Sequence, residues 1–294
     1  MPAKMACLTG ATVYQLLENG QLSARPLGPR ATPFGDSEEV FLVEQEPAPF
    51  LLLPRYGTGR TFLNPARINY RANLYALKDL GAEMVVSWTA AGAISHDLNL
   101  GQIVVPDDLI DQTRNRPRTF FEDSGFGLLR QFPVFCPAMR KALGDVLANM
   151  WVPYQTSGTV AVTEGPRLET PAEVRMLANA GAQLVAHTLA PDFALARELE
   201  LCLTGVCYVV NYAETGSRHV PLTTGSLFGG LTEAPPADRI RQVSEALPAL
   251  LRRLLERLEE IEADCECRRT MRPQVEAGLL DADWHRWFDR APSR

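Results

Sequence analysis

Apolar, β-branched runs recur along this chain, and each stops at a loop rich in reactive side chains. Phe50-Leu51-Leu52-Leu53-Pro54 gives way to Arg55-Tyr56-Gly57, and Met84-Val85-Val86-Ser87-Trp88 opens into Thr89-Ala90-Ala91-Gly92-Ala93. The stretch 155–163 runs into Glu164-Gly165-Pro166-Arg167-Leu168-Glu169-Thr170. The stretch 183–186 runs into His187-Thr188, and 202–210 into Asn211-Tyr212-Ala213. Between the runs lie segments whose apolar residues repeat at three and four. Such alternation predicts an α/β fold around a largely parallel sheet. Ligands of such sheets sit beyond the carboxyl ends of the strands, so these loops become the expected walls of one pocket.

The expected helices cover about 70–80 (stopped by Gly81), 137–150, 171–180 and 191–201. A last long helix spans 236–263, where Pro248 predicts a kink or break. Residues 4–13 read as a short strand entering a small-residue turn, and 111–121 as a polar, arginine-rich loop. Residues 1–264 form the expected domain. Residues 265–294 form a helical C-terminal extension that docks on the body or on another subunit through Leu279, Leu280, Trp284, Trp287 and Phe288.

The 294 residues suffice for a large core. The net charge of -6, with no dense basic block, argues against a nucleic-acid surface. No run is long enough for a membrane helix, and Met1-Pro2-Ala3-Lys4-Met5-Ala6-Cys7 lacks the apolar core of a signal peptide. The expectation is a cytoplasmic protein. Six cysteines (Cys7, Cys136, Cys202, Cys207, Cys265, Cys267) match no zinc signature in their spacing and read as reduced thiols. A redox or metal role for the Cys265-Glu266-Cys267 pair is the alternative.

After the strand ending at Thr163, the carboxylate of Glu164, the cation of Arg167 and the apolar Leu168 are expected to converge. That mixture suits a polar small molecule with a flat apolar part. Arg55-Tyr56-Gly57, Pro65-Ala66-Arg67-Ile68-Asn69-Tyr70-Arg71-Ala72-Asn73, Thr89-Ala90-Ala91-Gly92, Asp111-Gln112-Thr113, Glu164-Gly165-Pro166-Arg167 and His187-Thr188 before Pro191 together narrow the choice. Over about residues 4–260 the chain resembles the trimeric purine nucleoside phosphorylases, with the methylthioadenosine phosphorylases as the nearest branch.

The resemblance implies a single-domain fold with a central mixed, mostly parallel sheet flanked by helices. It implies reversible phosphorolysis of a purine nucleoside to free purine and a sugar 1-phosphate. Inorganic phosphate is the co-substrate, there is no metal or organic cofactor, and the assembly is a homotrimer or dimer of trimers. It places Thr9 (or Thr12), Arg55, Thr89, Ala90 and Thr188 around phosphate. It places Ala91, Gly92, Glu164, Leu168, Ala186, His187, Asn211 and Ala213 around the nucleoside. Asn211 and His187 are the catalytic candidates, with His187 where the family commonly has methionine beneath the ribose. The methylthioadenosine branch has two aspartates where this chain has Asn211 and Ala213. Asparagine offers both a donor and an acceptor, and in relatives it accompanies 6-oxopurines, so a 6-oxopurine nucleoside such as 5′-methylthioinosine is expected. A methylthioadenosine phosphorylase is the alternative within the family; the departures from its pattern at Leu8–Thr12, at Tyr56 (where the family has histidine) and at His187 allow an altered substrate, a weak phosphorylase, a nucleoside hydrolase, or a nucleoside-binding member without turnover.

Overall fold

The computed structural model describes residues 3–10, 12–57, 63–214, 236–260 and 265–288. The first half contains β1 (Met5–Thr9), α1 (Val13–Glu18), β2 (Arg25–Gly28), β3 (Ala31–Thr32), β4 (Gly35–Asp36), β5 (Val40–Val43), β6 (Phe50–Pro54), α2 (Tyr70–Asp79), β7 (Met84–Ala93), β8 (Ile103–Val104) and β9 (Asp108–Asp111). The second half contains α3 (Pro137–Leu147), β10 (Tyr154–Gln155), β11 (Thr159–Val162), α4 (Pro171–Asn179), β12 (Leu184–Ala186), α5 (Asp192–Glu198), β13 (Cys202–Tyr212), α6 (Pro236–Glu245), α7 (Leu247–Glu260) and α8 (Arg272–Glu276).

Eleven strands form one sheet in the order β10-β8-β13-β7-β1-β6-β5-β2, with β12, β11 and β9 branching from β7. It is mixed and mostly parallel, as expected. The central strand β7 is the point of branching. Along one edge it pairs with β13 throughout. Along the other it pairs with β1 only from Met84 to Ser87, then with the antiparallel β12 at Gly92 and Ala93. Between these partners the edge at Trp88–Ala91 is left open, and the fork becomes a cavity wall. Two apolar clusters cover the faces, one built on α2 and α5, the other on α3 and α7.

The departures from the sequence reading have local causes. Between β7 and the arginine-rich loop stand two short strands, β8 and β9, kept apart at Pro106, which has no N–H to donate to a ladder. The long last helix breaks at Ala246, and Pro248 falls in the first turn of α7, where its missing N–H costs nothing. Residues 261–264 of that expected helix lie outside the described residues. The turn after β1 continues into α1. In the extension, Trp284 packs against Tyr75 at 4.9 Å, and Phe288 lies 5.3 Å from Phe34 and 5.2 Å from Phe120. The ammonium of Lys78 sits over the Trp284 ring at 4.8 Å, and burial lowers its pKa to about 8. The described part of the extension therefore docks on its own body. No helix among the described residues is long and apolar enough to cross a membrane.

Candidate active site

The fork opens into a cavity of about 540 Å³ at the carboxyl ends of β1, β6, β7, β12 and β13. At one end stands Arg55, directly after β6 and only 1% exposed. Its Nη1 donates to Asp192 Oδ2 at 3.0 Å; its Nη2 donates to Leu8 O at 2.8 Å and Ser87 Oγ at 2.9 Å. Burial raises the Asp192 pKa, against the pull of the Arg55 and Arg116 cations. Such a pair persists only because each charge has the other. Ser87 leads to Thr89, whose Oγ1 lies 3.0 Å from Thr188 Oγ1. Arg55, Thr89, Ala90 and Thr188 all line this end, beside the backbone of Gly10 and beside Tyr56. Two hydroxyls that can rotate toward a guest, with a cation behind them, suit a small oxyanion.

The other end is built by Ala91, Gly92, Leu168, Glu169, Ala186, His187, Asn211 and Ala213. A bulge between Val209 and Asn211 sets Asn211 opposite Gly92, so the adjacent Val210 and Asn211 both line the cavity. A Cβ on Gly92 would lie 3.2 Å from Asn211 Nδ2, so glycine is what lets the amide lie there. Asn211 Nδ2 donates to Tyr212 O at 2.9 Å, which fixes the amide. Glu169, 9% exposed, accepts from Thr163 Oγ1 at 2.5 Å, and its Oε1 lies 3.5 Å from His187 Nε2. Burial alone would raise its pKa, but the hydrogen bonds from His187, Thr163 and its own backbone N–H together hold it below the ordinary carboxylate range.

Two expected site residues stand elsewhere. Thr9 is fully buried beneath the cavity and its hydroxyl has no hydrogen-bond partner among the described residues; Gly10 and Thr12 form the wall instead. Glu164 points away from the cavity. Its Oε2 accepts from the backbone N–H of Arg114 at 2.5 Å and of Asn115 at 3.2 Å, and its Oε1 faces Arg116 Nε at 3.5 Å. Burial raises its pKa, but those amides and the Arg116 cation outweigh this and lower it. The chain turns at Gly165 (φ 64°), so Glu169, four residues on, is the acid that reaches the cavity. Arg167 braces the loop through Glu173 at 2.6 Å, the residue that completes the capping box with Thr170.

Arg116 is a residue the sequence reading passed over. Buried beneath Glu164, it donates to Tyr70 Oη and to the carbonyls of Thr163, Glu164, His187 and Ala190, and so ties both pocket loops together. Asp192, in the first turn of α5, is a second such residue, because its partner Arg55 is 137 positions away in the chain.

The family model described as "Phosphorylase superfamily" matches residues 31–256. The 6-oxopurine nucleoside phosphorylase of Pyrococcus furiosus is 36% identical over 74% of this chain and 84% of its own. A protein of Methanothermobacter thermautotrophicus named "Probable S-methyl-5'-thioinosine phosphorylase" is 32% identical over 90% of this chain and 87% of its own. In fold, a mutant adenosine/methylthioadenosine phosphorylase from Schistosoma mansoni in complex with adenine superposes with a TM-score of 0.77, at 22% identity, over 94% of this chain and 98% of that one.

Proposed function

The chain belongs to the phosphorylase superfamily, and from that premise we propose that it catalyses reversible phosphorolysis of a 6-oxopurine nucleoside, with the sugar either ribose or its 5-methylthio form. The observation that carries the choice of base is Glu169, a carboxylate favoured in its ionised form in the same cavity wall as Asn211. An ionised carboxylate only accepts hydrogen bonds. A 6-oxopurine presents an N1–H donor to it. A 6-aminopurine presents a lone pair at N1, which the carboxylate repels. Asn211 retains its Oδ1 and one N–H for the rest of the base edge, since one N–H is spent on Tyr212.

At the Arg55 end the co-substrate is inorganic phosphate, met by the Thr89 and Thr188 hydroxyls and the Ala90 backbone. A phosphate oxygen bonds to the anomeric carbon as the glycosidic C–N bond breaks, and that bond's electron pair leaves with the purine. An N–H from Asn211 meets the charge gathering on the leaving base. His187, hydrogen-bonded by Glu169, stands beside the sugar. The reading needs no metal or organic cofactor for the chemistry and takes the protein as a cytoplasmic homotrimer.

Purine release from inosine, 5′-methylthioinosine, adenosine and 5′-methylthioadenosine, each with and without phosphate, tests it. The expected result is phosphate-dependent release that favours the two 6-oxo substrates. Release without phosphate would make the protein a hydrolase, a preference for the 6-amino pair would overturn the base assignment, and no release at all would leave a binder.

A further inference from the structure

At the end of the sheet opposite the cavity, four cysteines from three distant parts of the chain meet. Cys136 immediately precedes α3, Cys202 is the first residue of β13, and Cys265 and Cys267 open the C-terminal extension. Their four sulfurs all lie within 4.8 Å of one another, the one such group of potential metal ligands among the described residues. Cys202 Sγ and Cys265 Sγ are 3.5 Å apart, and all four thiols are free.

We propose that these four thiolates bind one Zn(II) ion in a closed tetrahedral site that fastens the C-terminal extension to the body. Zinc–sulfur bonds of about 2.3 Å at tetrahedral angles put neighbouring sulfurs about 3.8 Å apart, which the cluster brackets. Clusters of two or four irons spread their cysteines wider than this. A disulfide would need one pair of sulfurs at about 2.05 Å. Soft thiolate donors in a compact tetrahedral set favour a d10 ion over hard cations such as magnesium or calcium. With four protein ligands no position stays open for substrate, so the site is structural.

The surroundings suit the charge. Binding releases the four thiol protons and leaves a site of net charge -2, with no change in oxidation state. Arg197 shares a small cavity wall with Cys136 and Cys267. Lys4 and Arg268 line another with Cys136, Cys202 and Cys265, where both pair with Glu83, so Arg197 is the cation that chiefly offsets the thiolates. Cys136 also sits at the N-cap of an 11-residue helix, where a thiolate is favoured. Asn211 lies nine positions along β13 from Cys202, about 30 Å at the usual rise, so the metal takes no part in the reaction proposed above.

The test uses the full chain, expressed with zinc available and purified under reductant without added metal. Elemental analysis and native mass spectrometry are expected to find about one zinc per chain, ejected when an organomercurial titrates the thiols. Cobalt in place of zinc should give the visible bands of a tetrahedral Co(II) thiolate. Cys136→Ser and the double variant Cys265→Ser/Cys267→Ser should each lower zinc content roughly tenfold. Removing zinc from the wild type should expose 265–288 to protease. Should either variant fail to fold, the cobalt spectrum and the mercurial titration of the wild type decide alone. Less than about 0.1 zinc per chain after refolding with zinc and reductant would overturn the proposal. So would disulfides among these cysteines, or iron in place of zinc.

Discussion

The two ends of the cavity are built on different principles. At the Arg55 end, groups from β1, β6, β7 and α5 bond chiefly to one another: Arg55 to Asp192, Leu8 and Ser87, and Thr89 to Thr188. Three of the five guanidinium N–H groups are engaged before any ligand arrives. At the Glu169 end the recognition groups are few, and they lie on two short stretches, 168–169 and 210–213. The first arrangement supplies a rigid, preorganised cation; the second supplies a donor and acceptor pattern along one edge. Loss of a group should therefore damage folding and turnover together at the first end, and chiefly selectivity at the second.

Arg55→Met is the harshest way to probe this difference. It leaves Asp192 buried without its cation, a cost of about 3–5 kcal/mol in stability. Turnover should fall at least about 100-fold from the loss of transition-state charge stabilisation alone. The double variant Arg55→Met/Asp192→Asn should recover much of the stability, read by denaturant unfolding, while turnover stays low. Recovery of turnover as well would show that Arg55 serves only the fold, and the contrast between the two ends would fail.

How much of this was legible in the sequence follows the same division. Strand ends and their loops follow from period and turn residues, so the sequence pattern alone places Arg55, Thr89, Thr188, Leu168 and Asn211 in one pocket. The choice between Glu164 and Glu169 could not be made that way. It depends on where the chain turns at Gly165 and on two amide N–H groups some fifty residues earlier in the sequence. Asp192 and Arg116 were hidden for a related reason: each acts through partners far away in sequence, and neither sits in a local pattern that marks it. The Cys265-Glu266-Cys267 pair was visible as a possible metal or redox pair, but its joining with Cys136 and Cys202 was not, because a zinc signature is a local spacing and here three separate segments supply the thiols.

Glu169→Gln probes the other end. The substitution keeps the volume and the capacity to accept from Thr163, but adds a donor and removes the charge. For inosine or methylthioinosine, kcat/KM should fall roughly 10- to 100-fold, the value of a hydrogen bond to a charged group. For the matching 6-amino nucleosides it should hold or rise, since an amide N–H can face a lone pair at N1. Equal losses on both classes would show that Glu169 acts through His187 and the sugar rather than on the base. Stability should fall by about 1–2 kcal/mol as the bonds from Thr163 and His187 lose their charge, well short of the Arg55→Met cost because no buried charge is stranded.

Glu164→Gln should have the smallest effect, and it separates the acid that was expected at the base from the one that stands there. Glu164 holds the backbone at Arg114 and Asn115 from outside the cavity, so substrate preference should stay as in the wild type. Stability should drop by about 1 kcal/mol once solvent screening of a partly exposed group is allowed for, a few degrees in Tm at most. The sign with pH follows from its lowered pKa. Its contribution is complete above the ordinary glutamate value of 4.5 and is lost as pH falls toward the lower folded value. The stability gap between wild type and Glu164→Gln should therefore be constant near neutrality and close as unfolding is measured below about pH 4.5. A gap that persists unchanged into that acid range would mean the loop is held by the side chain's shape rather than its charge. A shift in base preference would return Glu164 to the pocket.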